Sequence, residues 1–269
     1  MRKQGAFLLV IGLLSTGPWS VGCSTVAETG RKQIMLVSAE QEQRLGLDAY
    51  QEVLAKEKRS SDPRMTAIVE RVGRRIAAVA NRPDFQWEFA LLESDQVNAF
   101  CLPGGKIAVY TGLLPIARNE AGLAVVVGHE VAHAVARHGG ERLSQRLSAE
   151  IIQELLATGL SRASPMVRTG ALQAFGIGTN VGVLLPYSRT HETEADQIGL
   201  MYAARAGYDP REALALWQRM EAAGKNRPPE FLSTHPREAR RIERLGKLMP
   251  QAMKAYEASP HRYGLGETW

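Results

Sequence analysis

A chain of 269 residues admits one large domain or two small ones. With 45% hydrophobic and 23% charged residues it has ordinary globular usage, which excludes a disordered chain. A net charge of +5, 6% aromatics and two cysteines supply no basic stacking surface for nucleic acid, no disulfide framework and no cysteine-rich zinc finger.

Arg2 and Lys3 precede the apolar run from Ala6 to Leu14, and Gly17, Pro18 and small residues lead to Cys23. A positive start, a short apolar core and small residues before a cut site describe a secretory leader over residues 1–22. The core of about nine residues falls well short of the roughly 20 that a spanning helix needs. The Gly22-Cys23 junction resembles the lipobox of bacterial lipoproteins, with Ser20 where that pattern has a leucine-like residue. That resemblance implies a lipidated Cys23, membrane attachment through it and, with Ser24 next, a periplasmic protein anchored to the outer membrane. Acylation would leave Cys101 alone, whereas an unmodified Cys23 leaves a Cys23–Cys101 bridge open in an oxidising compartment. Residues 23–37 then read as a tether to a domain over 38–250, with 251–269 as a C-terminal tail.

Ser38 with Gln41 three residues on predicts a capping box and a helix through Leu45, Leu47, Tyr50, Val53 and Leu54. Asp62-Pro63 predicts a second helix start, carrying Ile68, Val69, Val72 and Ile76 towards Ala80. Residues Phe85 to Phe89 alternate as a half-buried strand, Val97 to Cys101 form another, and Pro103-Gly104-Gly105 turns into an alternating Lys106 to Tyr110. Beyond Gly112 the pattern is helical, over about 119–138, 145–159, 168–185, 189–206, 210–223 and 236–248. The apolar stretch 171–185, about fifteen residues with three glycines, suits a buried or lid helix rather than a membrane span. Helices flanking a small run of strands give an α+β fold.

His129-Glu130-Val131-Ala132-His133 is an HExxH motif, expected by chance roughly 0.01 times in such a composition. On a helix, i and i+4 share one face, so both imidazoles can reach one zinc ion while Glu130 points beside them at a water. Asn119 caps this helix, Leu123 to Val127 make it apolar, and Gly139-Gly140 are its expected stop. A hydrolytic zinc takes three protein ligands and keeps one position open. His138, five residues past His133, is turned away and reads as a helix cap. Glu192 and Asp196 are again i and i+4, so Glu192 can serve as third ligand while Asp196 accepts from the far nitrogen of a liganding histidine. A solvated acidic face, with Arg189 paired to Glu192, is the plainer alternative.

HExxH followed by Ser188-Arg189-x-x-Glu192-x-x-Ala195-Asp196 resembles the gluzincin metallopeptidase family of HtpX, BepA, LoiP and the CAAX prenyl protease. Asn98-Ala99, Pro103 to Ile107, Tyr110 to Leu113, Asn119-Glu120 and Ser233-Thr234-His235-Pro236 with Arg241 extend the match over about 38–248. The resemblance implies a mostly helical zincin-type domain with one zinc held by His129, His133 and Glu192, Glu130 as catalytic base, and Asp196 and Arg189 behind the ligands. It implies that an edge strand carrying Gly104, Gly105, Ile107 and Val109 precedes the HExxH helix and holds an extended peptide, and that His235 lies near the metal, stabilising an oxyanion or blocking the site. The layout is compact and LoiP-like, since no repeat array follows residue 248. The expected activity is zinc-dependent endopeptidase cleavage of unfolded or misassembled cell-envelope proteins, with envelope assembly machinery as partner. The alternative is a zinc-bound, chaperone-like assembly lipoprotein with little proteolysis.

Overall fold

The computed structural model describes residues 22–179, 185–223, 231, 235, 240–264 and 268–269. The expected leader therefore lies outside the described residues except for Gly22. In chain order the elements are β1 (Gly22–Thr25), β2 (Lys32–Met35), α1 (Ala39–Lys56), α2 (Pro63–Ala80), β3 (Glu88–Leu92), β4 (Ala99–Leu102) and β5 (Lys106–Tyr110). A 3-10 turn (Thr111–Leu113) and the short α3 (Leu114–Ala117) lead to α4 (Glu120–Val135) and α5 (His138–Gly159). Then follow α6 (Pro165–Thr179), α7 (Leu185–Arg205), α8 (Glu212–Ala223) and α9 (Arg241–Ala258).

Local chemistry sets the helix starts. Ser38 accepts from Gln41 N at 3.1 Å while the Gln41 side chain accepts from Ser38 N at 2.9 Å, the expected capping box. Asp62 accepts from Met65 N with Pro63 in the first turn, and Asn119 accepts from Gly122 N at 2.7 Å. α4, with no polar stripe, is buried along its whole length and forms the spine of the core. α2 lays Ile68, Val69, Val72 and Ile76 into the same core. α7 crosses α4 where two glycines meet: a Cβ on Gly128 would lie 2.8 Å from Gly199 O, and one on Gly199 would lie 2.7 Å from His129 N. Nothing larger than hydrogen fits there, so the backbones bearing the two motif halves run in direct contact.

The sheet corrects one expectation. Its order is β3-β5-β4, with β3 parallel and β4 antiparallel to β5. Gly104 and Gly105, at φ +85° and +84°, make the tight return between β4 and β5. The strand carrying Ile107 and Val109 is thus central and buried along its length, not an edge. The outer edge beside α4 is β4. Alternation cannot tell the two apart, because it reports which face is buried and not which backbone edge is paired.

The ends of the chain differ from expectation too. Residues 22–35 are a hairpin, with Cys23 opposite Ile34, rather than a tether. Its loop buries Val26 in the main core and Glu28 accepts from Tyr202 of α7 at 2.8 Å. Cys23 is exposed, Cys101 is buried, and both are free thiols, so the bridge is absent. The expected tail continues α9 to Ala258, pairs Tyr263 with Tyr208 and donates from the Trp269 indole to Leu114 O at 3.1 Å.

Two breaks also shift. Arg137, at φ +59°, separates α4 from α5, and Gly139-Gly140 fall in the first turn of α5 instead of stopping α4. Gly140 instead lies against α1, where a Cβ would displace the Glu42 carboxylate. The apolar stretch begun at Ala171 lies in α6, where residues 171–176 are half-buried or exposed rather than buried; residues 180–184 lie outside the described residues. Among the described residues no helix is long and apolar enough to cross a membrane.

Candidate metal centre

α4 and α7 bring the two motif halves together. His129 Nε2 and His133 Nε2 face each other at 3.1 Å, and the Glu192 carboxylate lies 3.4 Å from each. His235 Nδ1 closes the group, 3.2 Å from His129 Nε2 and 3.0 Å from Glu192 Oε1. All four side chains are buried and their donor atoms lie within 4.8 Å of one another. Ligands at about 2.0–2.1 Å from a tetrahedral zinc stand roughly 3.3 Å apart. The observed spacings of 3.0–3.4 Å fit that requirement, as does the nitrogen-and-carboxylate donor set.

Supporting groups hold the donors from behind. His129 Nδ1 lies 3.1 Å from Asp196 Oδ1, the expected carboxylate partner. Arg189, expected beside these carboxylates, is exposed on α7. The guanidinium that reaches them is Arg241 of α9, which donates to Asp196 at 2.6 Å and Glu192 at 2.7 Å and stacks 4.0 Å from the Trp217 ring centroid. In sequence Arg241 is only part of a matched segment, because its role needs α9 folded back onto α7. His138, read as a cap, instead opens α5 fully buried, 2.8 Å from His133 Nδ1 and 2.8 Å from Glu194. Glu194, at i+2 from Glu192, leaves the other side of α7, and no helical spacing in the sequence ties it to the histidines.

The electrostatics follow from burial and pairing. Burial works against a proton on His129, but Asp196 and Glu192 outweigh it and hold its pKa up at about 9 in the metal-free protein. His133 is pushed well below the usual histidine range, mainly by burial. Burial would raise Glu192, yet bonds with His129, His133 and His235 hold it far below the carboxylate range. Glu130 goes the other way: burial raises its pKa against the pull of His235 and His129. A shifted carboxyl beside a metal-ligand cluster is what a proton-transferring group needs.

Glu130 opens onto a cleft of about 450 Å³ lined by Asn98 to Pro103 of the β4 segment together with His133, Arg137 and His235. His235 Nε2 stands 3.2 Å from Glu130 Oε1. Of the residues expected to grip substrate, Ile107 and Val109 are buried one strand further in, so the outer strand on the cleft side is Ala99–Leu102.

Known proteins share much of this sequence. The profile of peptidase family M48 matches residues 63–249. The mitochondrial metalloendopeptidase OMA1 of Schizosaccharomyces pombe is 39% identical over 90% of this chain and 70% of its own length. The human mitochondrial metalloendopeptidase OMA1 is 32% identical over 85% of this chain and 46% of its length. The β-barrel assembly-enhancing protease of Escherichia coli is 27% identical over 87% of this chain and 50% of its length. The chain thus spans about half the length of most of these relatives. The matches overturn the expected address as an outer-membrane lipoprotein of the periplasm: the relatives at 32–40% identity, from fungi, plant and vertebrates, are mitochondrial enzymes. By profile, relatives and donor geometry together, the chain belongs to peptidase family M48 and is a zinc metalloendopeptidase.

Proposed function

We propose that the protein cuts internal peptide bonds in extended segments of misfolded or misassembled polypeptides, with His129, His133 and Glu192 as zinc ligands and Glu130 as general base. The observation that carries this is the convergence of three buried donors beside Glu130 at the foot of β4, whose outer edge pairs with no other strand among the described residues. Zinc, when bound, supplies Lewis acidity that acidifies a water and polarises a carbonyl. Glu130 takes the proton from the attacking water and returns it to the leaving nitrogen. Asp196 fixes His129 with its proton on Nδ1, keeping Nε2 free as a ligand. β4 supplies backbone donors and acceptors for a strand-like substrate, which selects for chain that is unfolded or exposes an unpaired strand. A relative named for enhancing β-barrel assembly supports that substrate class.

His235 belongs to the same proposal. Its Nδ1 lies among the other three donors, so it would hold the metal as a fourth ligand in the place a water or substrate needs. The resting site is therefore blocked, and cleavage requires His235 to withdraw. This geometry favours the blocking role over an oxyanion role. The assembly-factor alternative has no use for Glu130, which a purely structural zinc site does not need.

The test is cleavage of casein and of a peptide library by wild type, Glu130→Gln and His235→Ala at equal zinc content. Glu130→Gln is expected to keep zinc and lose activity by at least about 100-fold. His235→Ala is expected to cleave faster than wild type. Wild-type cleavage by Glu130→Gln refutes the base assignment, slower cleavage by His235→Ala refutes the blocking role, and no cleavage by zinc-loaded wild type or His235→Ala favours the assembly factor.

A further inference from the structure

Behind His133, a line of polar groups runs out to the loop between β1 and β2. His133 Nδ1 lies 2.8 Å from His138 Nδ1, and His138 Nε2 lies 2.8 Å from Glu194 Oε2. Arg31 donates from Nε to that same oxygen at 2.7 Å, and Thr29 donates its hydroxyl to Glu194 Oε1. Glu141 secures Arg31, accepting from Nη1 at 3.0 Å and Nη2 at 2.7 Å. His138, Glu194 and Glu141 are all buried.

Donor and acceptor counting gives this line a direction. A carboxylate only accepts, and a neutral imidazole has one donor and one acceptor nitrogen. Glu194, receiving Arg31 and Thr29 as well, fixes the His138 proton on Nε2. His138 Nδ1 is then an acceptor, so the group facing it, His133 Nδ1, must carry the His133 proton. What remains on His133 is a bare lone pair at Nε2, the atom turned towards His129 and Glu192. On His129 a carboxylate, Asp196, lies directly behind the ring, 3.1 Å from Nδ1. On His133 a second histidine is interposed, and the carboxylate behind it is tied to a loop residue 163 positions earlier in the chain than itself.

We infer that His138, Glu194 and Arg31 are positioning residues through which the loop between β1 and β2 sets the tautomer and orientation in which His133 presents Nε2 to the metal. The inference rests on His133 being a zinc ligand, as proposed above. It makes residues 26–31 part of the metal centre, although none of them touches it. A metal-ligating histidine that loses its outer hydrogen-bond partner typically costs the site about 10–100-fold in metal affinity.

The experiment measures the zinc dissociation constant of the full chain by competition with a chelating dye, the melting temperature of the metal-free protein, and kcat and KM on one peptide. The variants are His138→Ala, Glu194→Ala, Arg31→Ala and Arg31→Lys, with His133→Ala as reference. Glu120→Ala is the control for a buried polar cluster elsewhere, since Glu120 is held by Arg71, Arg75 and Tyr208. His138→Ala and Glu194→Ala are expected to weaken zinc by about 10–100-fold and lower kcat, with KM within about twofold of wild type. Arg31→Lys should recover most of what Arg31→Ala loses, and Glu120→Ala should lower the melting temperature with zinc affinity intact. If His138→Ala does not fold, Glu194→Gln, which keeps the shape and removes the charge, carries the same expectation at about tenfold. Wild-type zinc affinity in the relay variants, alongside loss of zinc in His133→Ala, overturns this inference alone. Wild-type affinity in His133→Ala overturns the ligand assignment and the relay together.

Discussion

Gly199→Ala tests the joint on which the metal centre depends. The added Cβ would stand 2.7 Å from His129 N and 2.8 Å from His129 Cα, where ordinary contact begins at 3.4 Å. Both partners are main-chain atoms of a helix buried on every side, so no side chain can swing away. α4 and α7 must part by about 0.7 Å at the crossing, and that displacement falls on the backbone of His129, opposite the helix that carries Glu192. Overpacking of this kind costs about 1–3 kcal/mol, which in a domain of this size lowers the melting temperature by roughly 2–12 °C. Misplacing ligands and base by a sizeable fraction of an ångström should lower kcat by up to about 100-fold. The assays are thermal unfolding of metal-free and zinc-loaded protein, with zinc titration and peptide cleavage on the same samples. A Gly199→Ala protein with wild-type stability, zinc affinity and kcat would refute the claim that the two backbones meet without slack.

Arg241→Ala should be severe, because it strands the Glu192 and Asp196 carboxylates in the interior; loss of one partner of a buried pair costs about 3–5 kcal/mol, to be read from denaturant unfolding of the metal-free chain. Zinc and protons compete at His129: with its metal-free pKa at about 9, zinc affinity should fall as pH drops below 9, by up to about tenfold per unit from this residue, in titrations run from pH 6 to 9. The same raised pKa gives the metal-free protein a stabilisation that is full below about 6.5 and lost as pH rises towards 9. Peptides carrying backbone N-methyl groups beside the scissile bond should be cut at least about tenfold more slowly than their parents if β4 pairs with substrate; equal rates would remove strand addition. Chelation should abolish cleavage, and added zinc should restore it.

Much of the site is legible in the sequence because helices obey a short local rule. Four residues advance a helix by about one turn, so His129 with His133, and Glu192 with Asp196, each declare a shared face before any fold is known. The caps at Ser38, Asp62 and Asn119 are equally local, and the structure has all three. Long-range partners are another matter. Arg189 sits beside Glu192 in sequence but points outward, while Arg241, 49 residues away, reaches both carboxylates. His138 looks like a helix end until Glu194 is brought up behind it.

The sequence by itself determined the spaced histidine pair and the carboxylate helix, because each rests on residue type and helical period alone. Tertiary structure decided what non-local pairing decides. β5 became the centre of the sheet because β3 took one of its backbone edges and β4 the other, leaving β4 as the open edge beside Glu130. The polar run that reads as a tether became a hairpin because Arg31 found two buried carboxylates, on α5 and α7, that nothing near it in sequence announces.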